Sequence, residues 1–274
     1  MRRFIQRILF RWQHKTFINI KEETNGYLSP SVYKAIYEYA LKAQEGNMVD
    51  IGPAQGGSTI CLGLGIRDSG KANSKIYSIE KGEASSALQS WDDPLHNGAV
   101  LLKNIQRYEL DSYVNLLLGD VKDMYQKVNA SKPLSLLFID ADGALDRDFQ
   151  LFFNRLSDGA SIIIDDYQDI INRLATEKYL KWSTPEEIDV YVRSKGAQEF
   201  RDLCPLGKEQ TTYRFINYFL SAGLIQKKIL INATFFGSKI PGSVFDPVLH
   251  GNALKRIRAE IEQDYYQLRR TLTN

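Results

Sequence analysis

The side chains best suited to chemistry are acidic and stand where apolar runs stop. Apolar stretches over residues 75–79, 113–118, 134–139 and 161–164 end at Glu80, Gly119-Asp120, Asp140 and Asp165-Asp166 in turn. In a doubly wound sheet the ligand crevice lies outside the carboxyl ends of the strands, so these carboxylates line one rim. A fifth run carries a different signal. Val49-Asp50-Ile51-Gly52-Pro53-Ala54-Gln55-Gly56-Gly57-Ser58 reads as a short strand entering a glycine-rich turn. Gly52, Gly56 and Gly57 let backbone approach a ligand where a Cβ would clash, and a helix opening at Ser58 offers N-terminal amides to a carboxylate. Asp50 belongs to the same cradle. Glu80, 28 positions after Gly52, suits the two hydroxyls of a ribose, and Asp120 falls where an adenine edge would lie. Taken alone, the turn implies a nucleotide-like ligand, the alternative being a tight strand-to-helix turn with Glu80 a solvated strand end. The GxGxxG spacing usual for nicotinamide dinucleotides is absent.

The elements that must position these groups alternate strand and helix. Ser29-Pro30 supplies a helix cap followed by proline at the first helical position, and the helix runs toward Gly46. A strand over 48–51, a helix over 58–66 and a strand over 75–79 form a βαβ unit, which implies parallel pairing with a right-handed crossover. Helical spacing recurs over 146–156, 169–182, 209–222 and 253–272, and residues 225–236 predict a closing hairpin broken near Asn232-Ala233. The expected fold is α/β, a Rossmann-like doubly wound sheet of seven mostly parallel strands with helices on both faces. Three parts are expected: residues 1–28 as an amphipathic helix and linker, 29–245 as the main domain, and 246–274 as a C-terminal helix. Residues 186–207 read as an insertion able to cover a substrate.

Composition narrows the partners. Lys and Arg number 35 against 33 Asp and Glu, a net charge of +2, which lacks the basic field of a non-specific nucleic-acid binder. Two cysteines and three histidines, all scattered, exclude a disulfide framework and a Cys/His zinc site, so any metal is held by oxygen. No apolar run reaches the roughly 20 residues of a bilayer span, and no secretory signal is evident, so the expected compartment is the cytoplasm. Phe4, Ile5, Ile8, Leu9 and Trp12 share a helical face flanked by Arg2, Arg3, Arg7, Arg11 and Lys15. That face is expected to pack on the body or on a second copy, giving a homo-oligomer, rather than on a membrane surface.

The run from Val49 to Thr59, with Tyr77-Ser78-Ile79-Glu80 and Phe138-Ile139-Asp140-Ala141-Asp142, resembles the cation-dependent O-methyltransferases of class I, which use S-adenosylmethionine. The likeness spans about residues 29–167. It is greatest to the macrocin and cephamycin type and more distant to catechol and caffeoyl-CoA methyltransferases. The resemblance implies that the cradle, with Asp140, binds S-adenosylmethionine, and that Asp140, Asp165 and Asp166 hold Mg²⁺ or another divalent cation. Oxygen ligands suit such a hard ion, and three converging carboxylates without a cation would repel. Asp140 as a cofactor contact without metal, and Asp166 as a helix cap, are the alternatives. The implied acceptor is a hydroxyl of a small molecule, of the kind a sugar or glycosylated natural product offers. Relatives often place a lysine or histidine three residues after the first metal aspartate, where this chain has Gly143. Asp142 is the candidate proton acceptor in its stead, its other role being a loop aspartate bonded to its own backbone. The missing base also leaves open a catalytically silent cofactor-binding relative. His96, Tyr167, Tyr213 and Arg214 are weaker candidates for the pocket.

Overall fold

The computed structural model describes residues 14–81, 94–141, 143–169 and 208–273. Asp142, the 186–207 segment, nearly all of the 169–182 helix and the basic face of residues 2–12 fall outside them, as does the side chain of His96. Seven strands form one sheet: β1 (Asn47–Ile51), β2 (Ile76–Glu80), β3 (Val114–Leu118), β4 (Leu134–Ile139), β5 (Leu156–Ile164), β6 (Ile225–Ile231) and β7 (Thr234–Lys239). Their order is β3-β2-β1-β4-β5-β7-β6. The first five pair in parallel, and β7 runs antiparallel between β5 and β6. Order reverses between β1 and β4, which is where an open α/β sheet leaves its crevice.

The described helices are α1 (residues 14–23), α2 (Pro30–Lys42), α3 (Gly57–Asp68), α4 (Pro94–Arg107), α5 (Val121–Met124), α6 (Leu145–Phe152), α7 (Lys208–Ser221) and α8 (Leu249–Thr273). Ser29 caps α2 by accepting from the Val32 amide, with Pro30 in the first turn as its sequence predicts. The central strands β1 and β4 are buried along their whole length, as expected of parallel strands covered on both faces. Along β4 the side chains alternate between two apolar layers. Leu137 and Ile139 join Phe149, Phe152, Phe215 and Phe219 on one face. Leu136 and Phe138 meet α2 and α3 on the other, where Phe17 and Ile20 of α1 are also buried. Each such side chain withdrawn from water contributes about 1.5–3 kcal/mol, so the strand ends are fixed by both layers at once.

One boundary differs from expectation. Helical spacing extends to residue 156 and the strand is expected from 161, but α6 stops at Phe152, a 3-10 turn covers Phe153–Arg155, and β5 begins at Leu156. Asp158-Gly159 reads locally as a loop. The sheet absorbs it as a bulge, the β4 partner stepping from Leu156 at Leu134 to Ser161 at Leu136. The hairpin forms with its turn at Asn232-Ala233, where Asn232 has φ 54°. Among the described residues no helix is long and apolar enough to cross a membrane.

Candidate active site

The glycine turn leaves β1 and enters α3, with Gly56 at the helix cap. Gly52 has φ 80°, and a Cβ there would run into the carbonyl oxygen of Asp140 at the end of β4. Only glycine satisfies both the left-handed backbone and that approach. Glu80, at the end of β2 and nearly buried, accepts a hydrogen bond from the Ala54 amide at 2.9 Å. It therefore pins the turn from the end of β2.

Asp50 is fully buried one residue before the end of β1. Its Oδ2 accepts from Ser58 Oγ at 2.9 Å and from Thr59 Oγ1 at 2.6 Å. Thr59 Oγ1 also lies 2.7 Å from Ser78 Oγ on β2. Oδ1 of Asp50 is buried without a hydrogen-bond partner among the described residues. Burial pushes the carboxyl up to about 7 against the two hydroxyl bonds, which act to lower it. Ser58 thus turns its hydroxyl inward to Asp50, leaving its position in the first turn of α3 as its route to a ligand. Asp120 caps the short helix α5 through a 2.9 Å bond from the Lys122 amide.

A cleft lies over the turn. Its walls are the loop from Thr24 to Leu28, Tyr33 of α2, the turn from Gly52 to Ser58, and Asp140. Residues 24–28 were assigned to a linker by sequence, and only the fold brings them over the turn. The cleft fits a nucleotide-like cofactor in offering a backbone cradle with no room for a Cβ at Gly52.

Asp140 also belongs to a second group. Carboxylate oxygens of Asp140, Asp165 and Asp166 lie within 4.8 Å of one another. Asp165 is held by the hairpin, accepting from Thr234 Oγ1 at 2.5 Å, and the Tyr167 amide donates to the Ala233 carbonyl at 2.7 Å. Asp166 takes a left-handed backbone, φ 59°, which turns the chain at the strand end. Burial, then the charges of Asp140 and Asp166, raise Asp165 to about 6, while Thr234 and Lys208 act to lower it. The convergence of three carboxylates fits a hard cation with oxygen ligands.

Lys208, the first residue of α7, is the participant that local patterns do not reveal. Its Nζ lies 2.6 Å from Asp140 Oδ1 and 2.7 Å from Asp166 Oδ2. Burial lowers the lysine's proton affinity, yet the two carboxylates more than offset it and hold the ammonium above its ordinary value. The signal available in the sequence is indirect: Gly143 lacks the expected base, and in the fold Gly143 lies against Lys208. Of the weaker candidates, Tyr167 packs against Tyr213 with ring centroids 5.0 Å apart and tilted by 39°, and donates to Asn217 Oδ1 at 2.9 Å. Arg214 is turned to α8, pairing with Asp264 at 2.8 Å.

Residues 49–167 match the family model described as a methyltransferase domain. Solved structures of similar fold include an O-methyltransferase from Bacillus cereus in complex with SAH. It is 18% identical, with 82% of this chain and 90% of that one covered and a TM-score of 0.54. The O-methyltransferase TomG from Streptomyces achromogenes, involved in tomaymycin synthesis and solved with SAM, is 13% identical over 83% and 89% of the two chains, TM-score 0.52. The SAH-bound methyltransferase PaMTH1 from Podospora anserina is 14% identical over 82% and 87%, TM-score 0.53. The matching domain model spans the turn, Glu80 and all three rim aspartates, and the sheet order is that of the class I methyltransferase fold.

Proposed function

We propose that the protein transfers a methyl group from S-adenosylmethionine to a hydroxyl of a small molecule, with a divalent cation such as Mg²⁺ at Asp140, Asp165 and Asp166. The observation that carries this reading is Asp140, which forms part of both the cleft wall and the carboxylate cluster. A methyl donor seated in the cleft and an acceptor drawn to the rim would meet at that residue. The bound sulfonium supplies the electrophilic methyl group, and the cation supplies a Lewis acid that lowers the pKa of a chelated hydroxyl. The chain's own part is to hold and align. The turn and the α3 amides would cradle the carboxylate of the donor and Glu80 would accept from the ribose, while Thr234 fixes Asp165. TomG and the Bacillus cereus protein, named as O-methyltransferases, favour oxygen as the acceptor atom. A sugar or glycosylated natural product is the acceptor class suggested by the macrocin-type sequence resemblance.

The test is Asp165→Ala, assayed with labelled S-adenosylmethionine across a library of hydroxylated small molecules. The expected outcome is loss of Mg²⁺ dependence and of most turnover, with cofactor affinity by titration calorimetry nearly intact. Unchanged turnover would remove the metal assignment. Cofactor binding with no transfer by the wild type to any acceptor would instead mark a silent cofactor-binding protein.

A further inference from the structure

We propose that Lys208 is a built-in counter-cation of the Asp140, Asp165 and Asp166 cluster, which a divalent ion entering that cluster must displace. The inference rests on reading the cluster as a cation site. Its ground is the bridge itself: one ammonium reaches Asp140 Oδ1 at 2.6 Å and Asp166 Oδ2 at 2.7 Å. These are charge-assisted hydrogen-bond lengths to two separate strand ends. Lys208 comes to Asp140 from 68 residues away in the chain. The approach is accommodated by Gly143, whose φ is 74° and whose added Cβ would stand 3.0 Å from the Lys208 Cα and 3.3 Å from its carbonyl oxygen. Any larger side chain at 143 would press on the start of α7.

Metal and ammonium cannot share this position. A divalent ion binds carboxylate oxygens at about 2.0–2.6 Å, and Lys208 already occupies one oxygen on each of two of the three aspartates. A second positive centre within hydrogen-bond reach of the same oxygens would also be repelled by the first. Two consequences follow for the chain's own residues. Without metal, the rim keeps one positive charge against three carboxylates, which steadies the ends of β4 and β5. With metal, Lys208 must swing off Asp140 and Asp166, so divalent affinity is set partly by the loss of that bridge.

The experiment measures Mn²⁺ binding to the full chain without cofactor, by the electron paramagnetic resonance signal of free Mn²⁺. It compares wild type, Lys208→Met, Lys208→Gln and Lys208→Arg, and records the melting temperature of each with and without Mn²⁺. Lys208→Gln retains hydrogen-bond donors and serves if the methionine variant does not fold. Removing the charge is expected to tighten Mn²⁺ binding by roughly tenfold or more, and to lower the metal-free melting temperature in a way that Mn²⁺ restores. Lys208→Arg, which keeps the charge, is expected to stay near wild type. Equal or weaker Mn²⁺ affinity in the uncharged variants, or no Mn²⁺ binding by any of the four, overturns the proposal. Absent methyl transfer alongside the expected Mn²⁺ series would count against the proposed function and leave the role of Lys208 standing.

Discussion

At the end of β1 the Asp50 carboxyl is fully buried and met by two neutral hydroxyls, with one oxygen unpartnered. At the ends of β4 and β5, Asp140 and Asp166 keep about a quarter of their side-chain surface, 24% and 23%, and are met by an ammonium. Desolvation leads the shift at Asp50 and at Asp165 alike; the charges of two neighbouring carboxylates come next at Asp165, but behind the two hydroxyl bonds at Asp50. A buried carboxyl without a cationic partner is held by protonation, whereas carboxylates bridged by an ammonium are placed to exchange that partner for another cation. One strand end therefore preserves a shape, and the other preserves a charge.

The largest expected effect tests that distinction at Asp50. Its folded pKa of about 7 stands above the ordinary 3.8, so the native state holds a proton that the unfolded chain has released. Stability from this group is complete below pH 4 and is lost as pH rises through about 7, a span on the order of 4 kcal/mol. Melting curves of cofactor-free wild type and Asp50→Asn between pH 4 and 8 should diverge, the variant gaining on the wild type as pH rises. Parallel curves would mean that Asp50 is ionised when folded, and the contrast between the two strand ends would fall.

A smaller effect is expected at Gly52. Alanine there must hold φ 80° and collide with the Asp140 carbonyl, a backbone cost of about 1–3 kcal/mol before any displacement of β4. Because Asp140 stands at both sites, Gly52→Ala should weaken cofactor and Mn²⁺ binding together, as measured by calorimetry on the folded variant. Loss of cofactor affinity alone would show that the turn and the rim move independently.

Legibility in the sequence followed range. The glycine turn, the acidic stops and the β6–β7 hairpin with its Asn232-Ala233 turn depend on neighbours in the chain, and local spacing carries them. What escaped depends on distant contacts. Ser58 reads as a ligand contact because it opens α3, but its hydroxyl is claimed by Asp50 on the adjoining strand. Lys208 sits at the margin of a polar segment with no period, and nothing local connects it to Asp140. Gly143 was legible as a missing base, yet its positive φ and its place against Lys208 appear only in three dimensions. The bulge of β5 escaped likewise, since it is set by the pairing with β4.

The finest distinction concerns Glu80, a cradle residue that is charged like those of the rim. Its carboxylate bonds the Ala54 amide at 2.9 Å, so truncation would loosen the turn and, on the proposed reading, remove a ribose contact at once. Glu80→Gln separates the two, since the amide oxygen can still accept from Ala54 while the charge is gone. A charged hydrogen bond contributes about 1.5–3 kcal/mol and a neutral one about 0.5–1.5, so the substitution should cost roughly 1 kcal/mol per ribose bond, about fivefold in cofactor affinity. Glu80→Ala should lose more than this, with the excess reporting the turn. If Gln and Ala weaken cofactor binding equally while the melting temperature falls only in Ala, Glu80 serves the ligand through charge and the turn through geometry as separable duties. If Gln binds cofactor as tightly as wild type, the carboxylate acts on the backbone alone, and the cradle recognises its ligand by shape without using charge at β2.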